Sequence, residues 1–194
     1  MTSSTAAVGR PRNPAKDVAV LQATRELLVE VGYQGTTVVA IARRAEVGAP
    51  TIYRRWSTKE ALVEDAAFGH PQPAPLPEPS GDLKADLYAW VSTFLDFLAN
   101  PVTRAALPGL LAAYHRDEES YERLVQRSEA DVRSLMGGLL SAARPAVDDV
   151  DSRAETVFDF LVAMTSSRAM TRGLLDRDAF CARTADALAK LARA

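Results

Sequence analysis

The residues best equipped for chemistry lie in one short run, Pro50-Thr51-Ile52-Tyr53-Arg54-Arg55-Trp56, with Arg43 and Arg44 upstream and Lys59 downstream. They offer guanidinium, ammonium and hydroxyl donors, the groups that bind phosphate oxygens and base edges. Ile52 and Trp56 are four apart, so on a helix both can pack inward, against Ile41 and Val47. That turns Pro50, Thr51 and Arg54 outward and leaves Tyr53 and Arg55 on the flanks. A small, polar and basic face on a short anchored helix is what a major groove accepts.

Such a helix is too short to stand alone and needs neighbours. Thr37–Ala45 supplies one, with Val38, Ile41, Ala42 and Ala45 on its inner face and Arg43 and Arg44 opposite. Val47-Gly48-Ala49 reads as the turn between them, because glycine tolerates a sharp backbone change. Pro50 suits the first helical turn, where its missing N–H costs nothing. Lys16–Val31 forms the supporting helix, with a stripe of Val20, Thr24, Leu27, Leu28 and Val31, stopped by Gly32, and with Tyr33 folding back over its end. Thr36 or Thr37 can cap the next helix. Ser57-Thr58-Lys59-Glu60 reads as a capping box that opens a helix over Thr58–Phe68. Lys59 is unusual there, since a cation in the first turn opposes the helix dipole by a few tenths of a kcal/mol. A phosphate bound at that helix start would reverse the balance.

The ordered, ungapped series Gly35-Thr36-Thr37-Val38, Ile41-Ala42, Thr51-Ile52-Tyr53-Arg54-Arg55-Trp56 and Lys59-Glu60-Ala61-Leu62 resembles the N-terminal DNA-binding domain of the TetR family of bacterial regulators, over about residues 14–70. The resemblance implies an all-α fold: an N-terminal three-helix helix-turn-helix domain and a C-terminal helical bundle for ligand binding and dimerisation. It implies that a threonine at 36 or 37 touches a phosphate and that Lys59 contacts the DNA backbone. It also implies repression. Two positions depart from the pattern: Gly48 stands where many members carry a capping serine, and Ala49 where lysine or glycine is frequent. The candidate DNA-binding set is Arg10, Arg12, Thr36, Thr37, Arg43, Ala49, Pro50, Thr51, Tyr53, Arg54, Arg55 and Lys59. Arg10 and Arg12 belong to a basic arm over residues 1–13, suited to a narrow minor groove.

Charge is uneven in the same sense. Residues 1–59 hold nine Lys/Arg against four acids, although the whole chain carries −2. The attraction for phosphate therefore sits at the N-terminal end.

Past Gly69, proline recurs at every second position from Pro71 to Pro79, which excludes helix and marks a stiff spacer between two domains. From Ser80 to residue 194 helices return. Leu83, Leu87, Val91, Phe94, Leu95 and Leu98 form one stripe, stopped by Asn100-Pro101. A short helix interrupted at Pro108 ends near Tyr114-His115. Tyr121–Ala143 buries Leu124, Val125, Val132, Leu135, Met136, Leu139 and Leu140, and Arg144-Pro145 breaks it. Ser152–Arg172 carries Val157, Phe160, Leu161 and Met164 inward, and Asp178–Ala192 carries Phe180, Leu188 and Leu191. By the resemblance, these last two helices pair with those of a second copy, and Ala163, Ala169, Ala185, Ala187 and Ala189 permit close approach. Two copies would present two recognition helices about 34 Å apart or more, implying a palindromic operator in double-stranded DNA. The resemblance also implies a small-molecule pocket in the bundle, lined by Trp90, Phe94, Phe97, Tyr114, His115, Tyr121, Phe158 and Met164. Aromatic walls suit a hydrophobic or aromatic effector.

Other classes find little support. The chain has two histidines, His70 and His115, and none of GxSxG, GxGxxG, HExxH or a phosphate loop. No metal or cofactor is expected. The acids Asp148, Asp149 and Asp151 read as a solvated helix start. Cys181 is the single cysteine, which suits the reducing cytoplasm. No apolar run is long enough to cross a membrane. The alternatives left are a dimeric helical interaction protein without regulated DNA binding and, least supported, an enzyme.

Overall fold

The computed structural model describes residues 14–69, 76–115, 118–143 and 150–193; for 118–121, 123–131, 150 and 151 it describes the backbone alone. The arm with Arg10 and Arg12, most of the proline spacer, the Tyr121, Leu124 and Val125 side chains, Arg144-Pro145 and the acids at 148, 149 and 151 lie outside it. Among the described residues all regular structure is helical: α1 Pro14–Gly35, α2 Val38–Arg44, α3 Ala49–Tyr53, α4 Lys59–Phe68, α5 Leu83–Leu98, α6 Pro101–Tyr114, α7 Glu118–Ala143, α8 Val150–Thr171 and α9 Arg177–Leu191.

Three apolar clusters hold these together. The first joins α1 to α4 through Val20, Ala23, Leu27, Val38, Ile41, Ala42, Ile52, Trp56 and Leu62. The second is a junction in which α6 sits on α1 and α4, through Leu28, Tyr33, Val63, Ala106, Leu110 and Tyr114. The third is the core of the bundle, built on α5, α7, α8 and α9 around Leu87, Trp90, Leu95, Met136, Phe158, Leu161 and Leu188.

Several local expectations are corrected. Gly32 does break α1, at φ 68°, but one more turn follows, which swings Tyr33 into the junction and leaves Val31 outside. The turn before α3 is made by Glu46, at φ 53°, not by Gly48, whose φ of −72° and ψ of 137° any residue adopts. The cap of α4 is Thr58, accepting from the Ala61 N–H at 3.1 Å, not Ser57. Glu60 is thereby freed from a capping box and accepts instead from the Tyr33 hydroxyl at 2.8 Å. Asn100-Pro101 begins α6, with the Asn100 side-chain Oδ1 accepting from Val102 N–H at 2.9 Å. Pro108 does not end α6. It lies on the exposed side, where the bond it forfeits to the Arg104 carbonyl can be replaced by water, while Ala106, Leu110 and Tyr114 hold the helix down.

The bundle turns three expected core residues outward: Leu135, Phe160 and Met164. Polar ties join its helices. Arg133 on α7 pairs with Glu155 and Asp159 on α8, and its guanidinium carbon lies 4.6 Å from the Phe158 ring centroid. Arg177 on α9 grips Asp96 on α5 with Nε and Nη2, at 2.7 and 2.5 Å.

Asp186 on α9 receives Lys84 of α5 at 2.9 Å and Lys190 at 2.8 Å. The Lys190 and then the Lys84 hydrogen bond hold its carboxyl from 3.8 down to about 2. A carboxylate depressed in the fold stabilises it above the ordinary value, and that support fades as pH falls from 3.8 through 2. Asp186→Asn should therefore cost a little stability at pH 7, as exposed pairs do. The difference from the unaltered chain should vanish near pH 2 in circular-dichroism denaturation curves.

Candidate nucleic-acid interface

The short helix α3 is anchored from behind. Ile52 is 1% exposed and Trp56 5%, both against Ile41 of α2. The Trp56 indole Nε1–H donates to Asp65 Oδ2 of α4 at 2.8 Å, which fixes the ring as well as burying it. Pro50, Tyr53, Arg54 and Arg55 are exposed on the other side and Thr51 is half-buried. Ala49 packs partly against the cluster, so its methyl is divided between core and surface. Arg54 Nη2 donates to Thr51 Oγ1 at 2.9 Å, bringing the two outward polar groups together. Arg55 pairs with Asp17 of α1 at 3.3 Å.

Either side of α3 the cations divide into engaged and available ones. Arg44 lies against Glu30, at 2.6 and 2.7 Å, and within 3.8 Å of Glu26, so its charge is already answered. Arg43, next to it, is exposed. Thr37 caps α2, accepting from Ala40 N–H at 3.1 Å, and its own O–H is free of that bond to donate outward. Thr36 is fully buried and donates its hydroxyl to the Gly32 carbonyl at 2.8 Å. It therefore cannot share a phosphate role with Thr37, and that expectation is withdrawn for Thr36.

Lys59 is more constrained than its sequence position suggests. Its ammonium donates to the Tyr33 carbonyl at 2.6 Å and stands 3.9 Å from the Tyr33 ring centroid. Partial burial lowers its pKa, partly offset by Glu60. Burial, and then the hydrogen bond to Glu60, push the Tyr33 phenol well above its ordinary value. Since Tyr33 leads directly into Thr36 and Thr37, the starts of α2 and α4 meet at this one aromatic residue. Tyr114 of α6 completes the junction by donating to Glu64 of α4 at 2.8 Å. Glu64 and Asp65 were not singled out from the sequence as parts of this interface's support, and Tyr33 and Glu60 were expected there without their bond to each other. The aromatic residue immediately after the Gly32 break was the available signal.

Residues 20–66 match the family model described as bacterial regulatory proteins, tetR family. Residues 77–188, more than half of the chain, match the model for the tetracyclin repressor-like C-terminal domain. The chain belongs to the TetR family. This TetR-family chain is a helix-turn-helix transcriptional regulator. It is 33% identical over 133 residues to an uncharacterized HTH-type transcriptional regulator, YdeS, of Bacillus subtilis, a match spanning 68% of this chain and 66% of that protein. It is 28% identical over 180 residues to a DNA-binding transcriptional repressor TetR of Mycobacteroides abscessus, covering 90% of this chain and 92% of that one. Its fold is that of a TetR transcriptional regulator from Agrobacterium tumefaciens (TM-score 0.66, 22% identity, 93% and 95% of the two chains). It is shared with NalD, the secondary repressor of the MexAB-OprM multidrug efflux pump in Pseudomonas aeruginosa (TM-score 0.63, 18% identity, 92% and 97%).

The pocket residues expected in this regulator do not form one wall. Trp90, Phe94 and Phe158 make a continuous aromatic group, Trp90 stacked on Phe94 at 6.1 Å and Phe94 edge-on to Phe158 at 5.8 Å. Phe97 instead meets Phe68 of α4 at 6.1 Å. Tyr114 belongs to the α6 junction, His115 is the exposed C-cap of α6 and Met164 faces outward. These three are corrected out of the pocket: the turn that ends α6 points Tyr114 at α4, and the face of α8 that bears Met164 is not the one packed on α5. Tyr121 lies outside the described side chains. No group of three or more metal-ligating side chains occurs among the described residues, and no described helix is long and apolar enough to cross a membrane.

Proposed function

We propose that this regulator is a cytoplasmic, dimeric repressor that holds a palindromic operator in double-stranded DNA and is released by a small hydrophobic or aromatic effector. In this reading residues 14–70 bind DNA, the basic arm 1–13 assists in the minor groove, 71–79 is a spacer, and 80–194 bind the effector and the second copy. The observation that carries it is the outer face of α3, Pro50, Thr51, Tyr53, Arg54 and Arg55, set on buried Ile52 and Trp56. Thr51 and Arg54 read base edges; Tyr53, Arg55, Thr37, Arg43 and Lys59 bind the backbone.

Dimerisation through the last two helices is supported by what they leave uncovered. Phe160 is 54% exposed and Met164 46% on α8, and Leu174 and Leu175 follow in the turn before α9. Of the alanines expected there, Ala163 and Ala187 are exposed, as are Ala179 and Ala182, all small enough for close helix approach, whereas Ala169, Ala185 and Ala189 are buried within the protomer. Apolar side chains grouped on one side of a chain mark an interface. The names of the M. abscessus relative and of NalD, both repressors, favour repression over activation.

The test is binding to duplexes selected from a random pool, across a salt series. Affinity should fall steeply with salt. Lys59→Ala should weaken binding on all duplexes alike and lower the salt slope by about one, whereas Thr51→Ala should change the preferred bases at a cost of about 1–3 kcal/mol on the best site. Absence of duplex binding at low salt, or one preferred sequence shared by both variants and the unaltered chain, overturns the assignment.

A further inference from the structure

Among the described residues the bundle contains a buried cation with two unpartnered donors. Arg168, near the end of α8, is 9% exposed. Its Nε and Nη2 are both buried and neither has a hydrogen-bond partner among the described residues. The contact it does make is with a ring: its guanidinium carbon lies 5.1 Å from the Phe180 centroid on α9. Guanidinium cannot shed its proton in a protein, so burial does not relieve the charge. Buried charges are paired, and an orphaned pair of donors requires an acceptor.

Four acids of α5 and α9, the helices the site adjoins, are committed elsewhere. Asp96 is gripped by Arg177, Asp178 takes Arg177 and Tyr88, Asp186 takes Lys84 and Lys190, and Asp86 accepts from the Ser80 N–H. Both nitrogens are covered by the protomer's own atoms, so an acceptor reaches them only as a small group admitted between the helices.

The two orphaned atoms also state its shape. Nε–H and Nη2–H lie side by side on one edge of the guanidinium plane, the edge that takes two oxygens of one planar acid in parallel hydrogen bonds. A third unpartnered polar atom is the Ser92 hydroxyl oxygen on α5. Ser92 sits one turn from Tyr88 and one turn from Asp96, and both of these reach the first turn of α9, through Asp178 and Arg177. The orphaned donors of α5 and α8 thus both belong to the layer around the start of α9, where Phe180 supplies an apolar, aromatic wall.

We propose that Arg168 is the carboxylate-binding residue of a ligand site between α5, α8 and α9, so that the effector is an organic acid: a carboxylate seated on the Nε–Nη2 edge, carried by an aromatic or aliphatic body against Phe180. This rests on the effector part of the reading above and replaces a merely hydrophobic ligand with an acidic one.

The test is thermal unfolding of the full chain, without DNA, in benzoate, phenylacetate or octanoate. Each acid is compared with its uncharged amide and with inorganic phosphate at matched ionic strength. At least one acid should raise the midpoint by about 5 °C or more at saturation, with its amide and phosphate inert. Arg168→Met should abolish that shift while leaving the ligand-free midpoint equal or higher, since it removes an uncompensated buried charge. Arg168→Lys, which keeps the charge but not the fork, should retain only a small part of the shift. The proposal is overturned if no acid shifts the midpoint, if an amide or phosphate does as well as the acid, or if Arg168→Met keeps the shift. A large fall in the ligand-free midpoint of Arg168→Met also overturns it, because that marks a cation already paired. Duplex binding is measured separately, so a missing acid effect with intact DNA binding sinks this inference alone, and an acid effect without DNA binding sinks the repressor reading alone.

Discussion

Replacing Gly109 with alanine is expected to destabilise the protein by about 1–3 kcal/mol, although the same change in an exposed helix interior normally stabilises by about 0.5–1 kcal/mol. The sign is reversed by one close approach. A Cβ at Gly109 would stand 2.1 Å from Tyr33 Cγ and 2.2 and 2.6 Å from the two Cδ atoms. The ring has little room to yield, because its hydroxyl is bound to Glu60 and Lys59 stands over it. Pushing the ring aside disturbs the starts of both α2 and α4, so duplex affinity should fall with stability. Gly138 is the control: it also lies inside a helix, α7, and a Cβ there meets nothing within 4 Å. Urea denaturation should move the midpoint down for Gly109→Ala and slightly up for Gly138→Ala. Equal midpoints for the two variants would mean that α6 does not press on Tyr33.

Trp56→Ala should be costlier still, by about 3–5 kcal/mol, the range for emptying a buried tryptophan site. It removes the rear support of α3 and leaves Asp65 without its indole donor. A five-residue helix has no stability of its own, so duplex binding should be lost at temperatures where α5 to α9 remain folded. Trp56→Phe separates the causes. It keeps most of the packing and forfeits the 2.8 Å bond to Asp65, so it should cost about 1 kcal/mol for the bond and retain most binding. Calorimetry and fluorescence anisotropy with the same duplex would read both effects; undiminished binding by Trp56→Ala would remove α3 from the interface.

The helices and the buried pair behind α3 were legible because helical periodicity is a local property: Ile52 and Trp56 can face one way only if the chain is helical between them. What depended on distant partners was not legible. Nothing near Glu46 announces a left-handed residue, since the glycine that could adopt it cheaply is two positions on. Val31, Phe160 and Met164 fit their stripes, yet face outward because a stripe does not say how wide the neighbouring helix is. Thr36 and Thr37 are identical in type, and only the Gly32 break decides that the first turns in and the second caps. Tyr114 looked like a ligand-facing tip because sequence does not reveal that α6 lies across α4, where Glu64 waits. Pro108 looked like an interruption because the price of a proline depends on which side of the helix it falls.

The bond from Lys59 to the Tyr33 carbonyl, with the ammonium resting on the same residue's ring, has a thermodynamic consequence for the proposed phosphate contact. A free lysine surrenders up to about 2 kcal/mol of rotamer freedom when it is fixed. This one has surrendered most of it during folding, and an ammonium with one N–H committed still has two to offer. Docking on a phosphate then immobilises almost nothing that was moving, so the contact should form with a small entropic penalty.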